Sequence, residues 1–215
     1  MRRFTHVTSF FCLLVLLASC GAPTQKYGAS KSEGVYFAVP VSWHAISTNS
    51  LNLQESKSKV VGAAEKLALV KWQYAFTFDK RYSAKDIFSF AVTKTPVAFA
   101  RVRSLFPDEV NAISYNSLRN VVVPLTDWVN YPDKTTPEFN ILDDYEVVEK
   151  GARGVRTIYS FTQNGKSQTV DQTAMVSEDR QTIYVFVVRC ANSCYDKRKS
   201  LITKIADSFT VRGAR

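Results

Sequence analysis

Chemistry in this chain has few places to sit. Beyond residue 20 there is one histidine, His44, so neither a cluster of imidazole metal ligands nor a paired-histidine mechanism can be assembled. A Ser-His-Asp triad would have to use His44, which directly follows Trp43 and reads more simply as a strand-end histidine bonded to backbone or water. No G-x-S-x-G elbow, H-E-x-x-H, phosphate-cradling G-x-x-x-x-G-K or G-x-G-x-x-G occurs. The acidic run Asp143, Asp144, Glu146 and Glu149 could hold an acid and base pair of the glycosidase kind, or form a solvated strand entry. Arg101 and Arg103 alternate on one strand face and suit either an anionic ligand or neighbouring carboxylates. These residues give no catalytic, cofactor-binding or metal site, and no cofactor is expected.

Cysteine is the more informative type. Arg2 and Arg3 precede an apolar run, Phe10 to Leu17, that is too short to span a bilayer permanently and reads as an export signal. The run ends in Leu17-Ala18-Ser19-Cys20, which looks like the lipobox cut by lipoprotein signal peptidase. That likeness implies cleavage after Ser19 and diacylation of Cys20. Each buried methylene contributes about 0.8 kcal/mol, so two chains anchor stably where one is marginal. Cys12 leaves with the signal, and Cys190 and Cys194 remain as a pair in an oxidising compartment. A disulfide is expected between them, with buried thiols or a redox switch as the other readings. Their spacer of three residues is not that of a C-x-x-C redox pair.

The full chain of 215 residues carries a formal charge of +9 from 28 basic and 19 acidic residues. Loss of Arg2 and Arg3 leaves 26 against 19, or +7. The charges are spread, apart from Lys197, Arg198 and Lys199, with no basic arm interleaved with stacking aromatics. Nucleic acid is therefore disfavoured as a partner, and export disfavours it further. A tethered basic surface suits anionic headgroups or an acidic partner, and equally suits plain solubility.

The elements that would position these residues follow from periodicity. Gly21 to Glu33 is small, polar and basic, so residues 20–33 read as a flexible tether and residues 34–215 as one domain. Val35 to Val39 is a strand stopped by Pro40, with Trp43 and Ile46 in a short second extended piece. Apolar positions Val60, Val61, Ala64, Leu67 and Ala68 suggest one amphipathic helix between Leu51 and Val70. Trp72, Tyr74, Phe76 and Phe78 alternate with polar residues as a half-buried strand. Ile87 to Thr93 and Val97 to Leu105 read as extended, Pro107 to Val122 as a helix, and Thr126 to Asn140 as a long loop. Tyr145 to Glu149, Val155 to Thr162, Ser167 to Val176 and Thr182 to Arg189 form an antiparallel meander, turned at Asn164-Gly165 and Glu178-Asp179. A helix from about Tyr195 closes the chain.

This order predicts an α+β fold, an α/β/α sandwich around a central antiparallel sheet. The opening Gly34-Val35-Tyr36-Phe37-Ala38-Val39-Pro40-Val41-Ser42-Trp43 is similar to that of PsbP-like domains, and Ile205-Ala206-Asp207-Ser208-Phe209-Thr210-Val211 to their closing helix. With the lipobox, the whole chain resembles LpqN-type actinobacterial lipoproteins, whose domain is a PsbP-like α/β/α sandwich. Such domains serve mostly as non-catalytic modules: the photosystem subunit supports a membrane complex, and a eukaryotic relative binds a small GTPase. The resemblance implies a module anchored outside the cytoplasmic membrane, with an envelope protein, lipid or glycan as partner. Two rival expectations stand beside it, an envelope-lipid hydrolase or transferase with its nucleophile beside His44, and a carrier of a small apolar ligand held between the sheet's aromatic face and a helix. On the lipobox reading, Cys20→Ser should leave an unlipidated precursor that no longer partitions into detergent. Wild-type partitioning of that variant would refute the anchor.

Overall fold

The computed structural model describes residues 22–213 and is organised by a seven-stranded antiparallel sheet. Its strands are β3 (His44–Ile46), β4 (Val70–Thr77), β5 (Val97–Ser104), β6 (Phe139–Glu149), β7 (Ala152–Gln163), β8 (Lys166–Ser177) and β9 (Thr182–Ala191), in the order β3-β4-β5-β9-β8-β7-β6. β6 to β9 are the expected meander. Asn164 and Gly165, with φ of 52° and 69°, make the two-residue β7–β8 turn, a left-handed pair that asparagine and glycine tolerate best. Gly154 of β7 has no room for a side chain, because a Cβ there would lie 2.0 Å from the Ala174 carbonyl oxygen.

Both faces of the sheet are covered. On one lie α7 (Asn192–Asp207) and a small sheet, β1-β2-β10, made of Gln25–Ser30, Val35–Pro40 and Thr210–Val211. Phe37, Trp43, Phe76, Phe186, Ile202 and Phe209 close this layer. The rings of Phe186 and Phe209 stack with centroids 4.9 Å apart. On the opposite face short helices form a second layer: α1 (Thr48–Glu55), α2 (Ala63–Ala68), α3 (Ala84–Phe88), α4 (Pro107–Ala112), α5 (Tyr115–Arg119) and α6 (Leu125–Asn130). The expected α+β class with a central antiparallel sheet is therefore what the chain adopts.

Local expectations fail where a cap or a left-handed residue overrides periodicity. Gln25–Ser30 belongs to the fold and not to the tether, since it pairs in full register with Val35–Pro40. Its polar residues occupy a sheet edge, so they lack an apolar signature. The helix expected between Leu51 and Val70 is two helices, α1 and α2, broken before Gly62 at φ 78°, and Val60 and Val61 are exposed. The segment read as extended at Ile87 lies in α3, started by Ser83, whose N–H donates to Asp86 Oδ2 at 2.8 Å. The helix expected from Pro107 to Val122 divides at Ile113, and Ser114 caps α5 by accepting from the Ser117 N–H at 3.2 Å. The expected long loop holds α6 and the start of β6.

A sheet covered on both sides must also provide for its polar positions. Arg156 of β7 and Asp171 of β8 pair through two 2.8 Å hydrogen bonds, with side chains 6% and 0% exposed. Arg156 also reaches Asp207, at the end of α7, at 2.5 Å, which ties the helix layer to the sheet. Beside the same layer, the Cys190 and Cys194 sulfurs lie at disulfide distance, with Cα atoms 6.0 Å apart. Cys190 lies inside β9 and Cys194 in the first turn of α7.

Two outcomes follow. Asp171→Ala leaves a buried guanidinium with only the exposed Asp207 and should cost about 3 kcal/mol, whereas the double change Arg156→Met with Asp171→Leu should cost clearly less. Urea unfolding measures both, and equal losses would contradict the pairing argument. Replacing Cys190 and Cys194 with alanine should lower stability by roughly 2 kcal/mol, because the closed loop is short, and leave the fold intact. Free thiols found by mass spectrometry of the non-reduced, alkylated chain would refute the bond.

Candidate functional site

The sheet face under the short helices holds a cavity of about 260 Å³ floored by β5 and β9. The register sets its chemistry. Val97 pairs with Arg189, Phe99 with Val187, Arg101 with Val185 and Arg103 with Ile183. All eight side chains point to this face, so guanidinium groups bracket an apolar floor at both ends. Phe88 and Phe90, from α3 and the turn after it, form one wall, and Val121 and Val122, between α5 and α6, form another. Phe90 sits in the left-handed region at φ 55°, which turns the chain after α3 back over the strand.

The three arginines are held differently. Arg103 is gripped by both carboxylate oxygens of Glu109, at 2.6 and 2.7 Å. Its hydrogen bonds hold that carboxyl below the usual range against the opposing pull of burial, and Glu109 also accepts from the Phe106 N–H at the start of α4. Arg101 donates to Glu55 at 2.7 Å and to Gln73 Oε1 at 2.8 and 3.1 Å, between the rings of Phe88 and Phe99. Burial lowers its pKa, and Glu55 partly offsets that.

Among the described residues, Arg189 has no carboxylate at hydrogen-bond distance. It is 2% exposed and donates at 2.8 Å to the Ala91 carbonyl and at 2.8 Å to the Asp86 carbonyl, with Gln168 Oε1 at 3.3 Å and the Phe90 ring centroid at 4.7 Å. Burial pushes it down to about 10, so it stays charged at neutral pH. Carbonyl dipoles solvate a buried cation but leave its charge in place. The arrangement is suited to an anionic head on an apolar body, held by dispersion along the floor and by charge at one end.

The residues singled out from sequence separate clearly. Arg101 and Arg103 line the cavity and also carry carboxylate partners, so both readings of them apply. Asp143, Asp144, Glu146 and Glu149 share β6 but alternate between its faces. Asp144 is taken by Arg119 and Thr157, and Glu146 by the Tyr115 hydroxyl, so they assemble no acid and base pair. His44 is exposed on the edge strand β3, opposite Thr77, with no side-chain hydrogen bond among the described residues. No group of acidic, histidine and cysteine side chains able to hold a metal ion occurs among them. Residues 1–19 and Cys20 lie outside the described residues, in which no helix is long and apolar enough to cross a membrane. Arg189 is the functional candidate that sequence reading passed over as a strand terminus. Its signal was a cation between Val188 and Cys190, inside an otherwise apolar run.

No protein-family model matches the chain, and no curated protein matches it. Among solved structures it is similar to PsbP of Synechocystis sp. PCC 6803, with TM-score 0.49 and 15% identity over 90% of this chain and 95% of that one. It is similar also to LpqN, described as involved in cell envelope biogenesis of Mycobacterium tuberculosis, at 0.46 and 13% over 88% and 92%. A third is the Ran-binding protein Mog1p of Saccharomyces cerevisiae, at 0.46 and 9% over 89% and 97%. Likenesses of this size concern the path of the chain and assign no chemistry to it.

If Arg189 holds the end of α3 through its carbonyls, Arg189→Met leaves the Asp86, Ile87 and Ala91 oxygens short of a donor. The variant should lose about 2–3 kcal/mol in urea, with amide exchange accelerated first in residues 84–91. Uniform acceleration across the sheet would contradict a local role.

Proposed function

We propose that this chain is a lipid-anchored, extracytoplasmic and non-catalytic binding module whose cavity takes a single-chain anionic amphiphile. In this reading residues 1–19 are the cleaved signal, Cys20 carries the lipid, and the Cys190–Cys194 bond fastens α7 to β9. The tether then shrinks to residues 20–24, because β1 begins at Gln25. Five extended residues reach about 17 Å, which keeps the domain close to its membrane.

The observation that carries the ligand class is Arg189, a buried and charged guanidinium at the end of an apolar cavity with carbonyls in place of a counter-ion. At about 260 Å³ the cavity lies just below the range of drug-sized ligand pockets, roughly 300 to 1,000 Å³, so one acyl chain fits better than a two-chain lipid. The lipobox and the resemblance to PsbP-like lipoproteins support the placement outside the membrane. The rival hydrolase or transferase needs a nucleophile beside His44, and an exposed edge histidine without a side-chain partner gives it no support.

The test is native mass spectrometry of the chain released gently from its membrane, followed by titration with lysophosphatidylglycerol and lysophosphatidylcholine. The anionic form should bind about tenfold more tightly, and Val185→Trp, which fills the cavity from its partly exposed floor, should reduce binding at least about tenfold while the fold is kept. Equal affinity for both headgroups, or binding unchanged by Val185→Trp, would refute this reading.

A further inference from the structure

We infer that β6 is a docking edge for a basic, extended segment of another protein, which adds to the seven-stranded sheet as an eighth strand. The two edges of that sheet differ sharply. β3 has three residues, whereas β6 has eleven and, among the described residues, pairs with β7 alone, so every second residue from Asp143 to Glu149 turns its N–H and C=O away from the sheet. A long open edge of this kind is a template for strand addition.

Local structure limits where the addition occurs. The register shifts between Ile141 and Asp143, and the bulge leaves Leu142 unpaired and half exposed. Beyond it, Asp143 to Glu149 pairs without interruption with Ile158 to Ala152, which gives seven residues of regular edge. This stretch is held in place before any partner arrives. Arg119 clamps Asp144 through three hydrogen bonds of 2.8 to 3.0 Å, and the Tyr115 hydroxyl donates to Glu146, both from α5. Val147 packs into the core from the other face. A rigid edge loses little freedom when a strand is added to it.

Charge selects the occupant. The stretch has four carboxylates and no cation, in a chain whose net charge is +9. Arg119 compensates Asp144, while Asp143, Glu146 and Glu149 have no ion-pair partner among the described residues. Two copies pairing antiparallel through this edge would set carboxylates against carboxylates, which is destabilising. A segment with lysine or arginine at alternate positions meets opposite charges instead. Tyr145 and Val148, 41% and 73% exposed, offer it apolar contact, one on each face.

The experiment uses the full mature chain and a synthetic peptide of about nine residues alternating lysine with valine, a length that covers the regular edge. NMR should show alternate amides of residues 143–149 slowing in exchange at least about tenfold when the peptide is bound. Asp143→Lys, at an exposed side chain that accepts only from the adjacent Asp144 N–H at 3.0 Å, should weaken binding by about fivefold with unchanged melting. A peptide N-methylated at alternate residues, or carrying aspartate for lysine, should not bind. The inference is overturned if there is no binding at about 1 mM peptide, if the methylated peptide binds equally, or if protection falls elsewhere. Sedimentation showing the free chain self-associated, with β6 amides already protected, overturns it in favour of a second copy.

Discussion

The interaction on which the structure depends is the burial of one antiparallel sheet on both faces. Alternation then no longer separates inside from outside, and each polar side chain under a layer needs a partner within reach. Gln73, fully buried on β4, is met by Asn52 at 2.7 Å and by Arg101. Arg156 is met by Asp171 and Asp207. Among the described residues, four guanidiniums stand under the two layers, and Arg101, Arg103 and Arg156 each face a carboxylate. Arg189 faces carbonyls, and that single departure from the pattern marks the cavity.

The arrangement separates tasks by layer. The N-terminal strand β1 pairs with β2 in the layer on the α7 side, so the described chain begins on one side of the large sheet. The cavity lies under the short helices on the other side, and the open strand β6 lies at the edge between the two. The N-terminal strand, the cavity and the edge therefore occupy different surfaces. The cavity's walls are short segments whose ends are fixed by side-chain hydrogen bonds, and a turn of this kind opens more readily than a strand.

Long strands and their turns were legible in the sequence because alternation and turn chemistry agree there: Asn164-Gly165 sits where a two-residue turn demands both residues left-handed. The closing helix was legible from Leu201, Ile202 and Ile205, of which the last two are buried, but it ends at Asp207, so Phe209, expected inside it, packs from beyond its C-cap and Thr210–Val211 form a strand. The helix layer was not legible. α3, α4, α5 and α6 have five or six residues each, too short for an apolar period, and are begun by local caps such as Ser83 with Asp86. β1 was missed because an edge strand of polar residues resembles a tether. Of the candidate site, Arg101 and Arg103 were visible as an alternating pair, while Arg189 acquires its meaning only from the β5–β9 register, which sets it opposite Val97. Register between strands distant in sequence is not written in either strand alone.

The proposed binding function places an anionic amphiphile in the arginine-bracketed cavity, and not in the aromatic layer on the other face. The most direct measurement is a set of intermolecular NOEs between isotopically labelled chain and unlabelled lysophosphatidylglycerol. Binding in the cavity should give acyl methylene contacts to the methyl groups of Val185 and Val187, with the Arg189 Nε resonance shifting on saturation. Contacts to Ile202 or Val211 in the α7 layer, or an unmoved Arg189 resonance with the lipid bound, would contradict it.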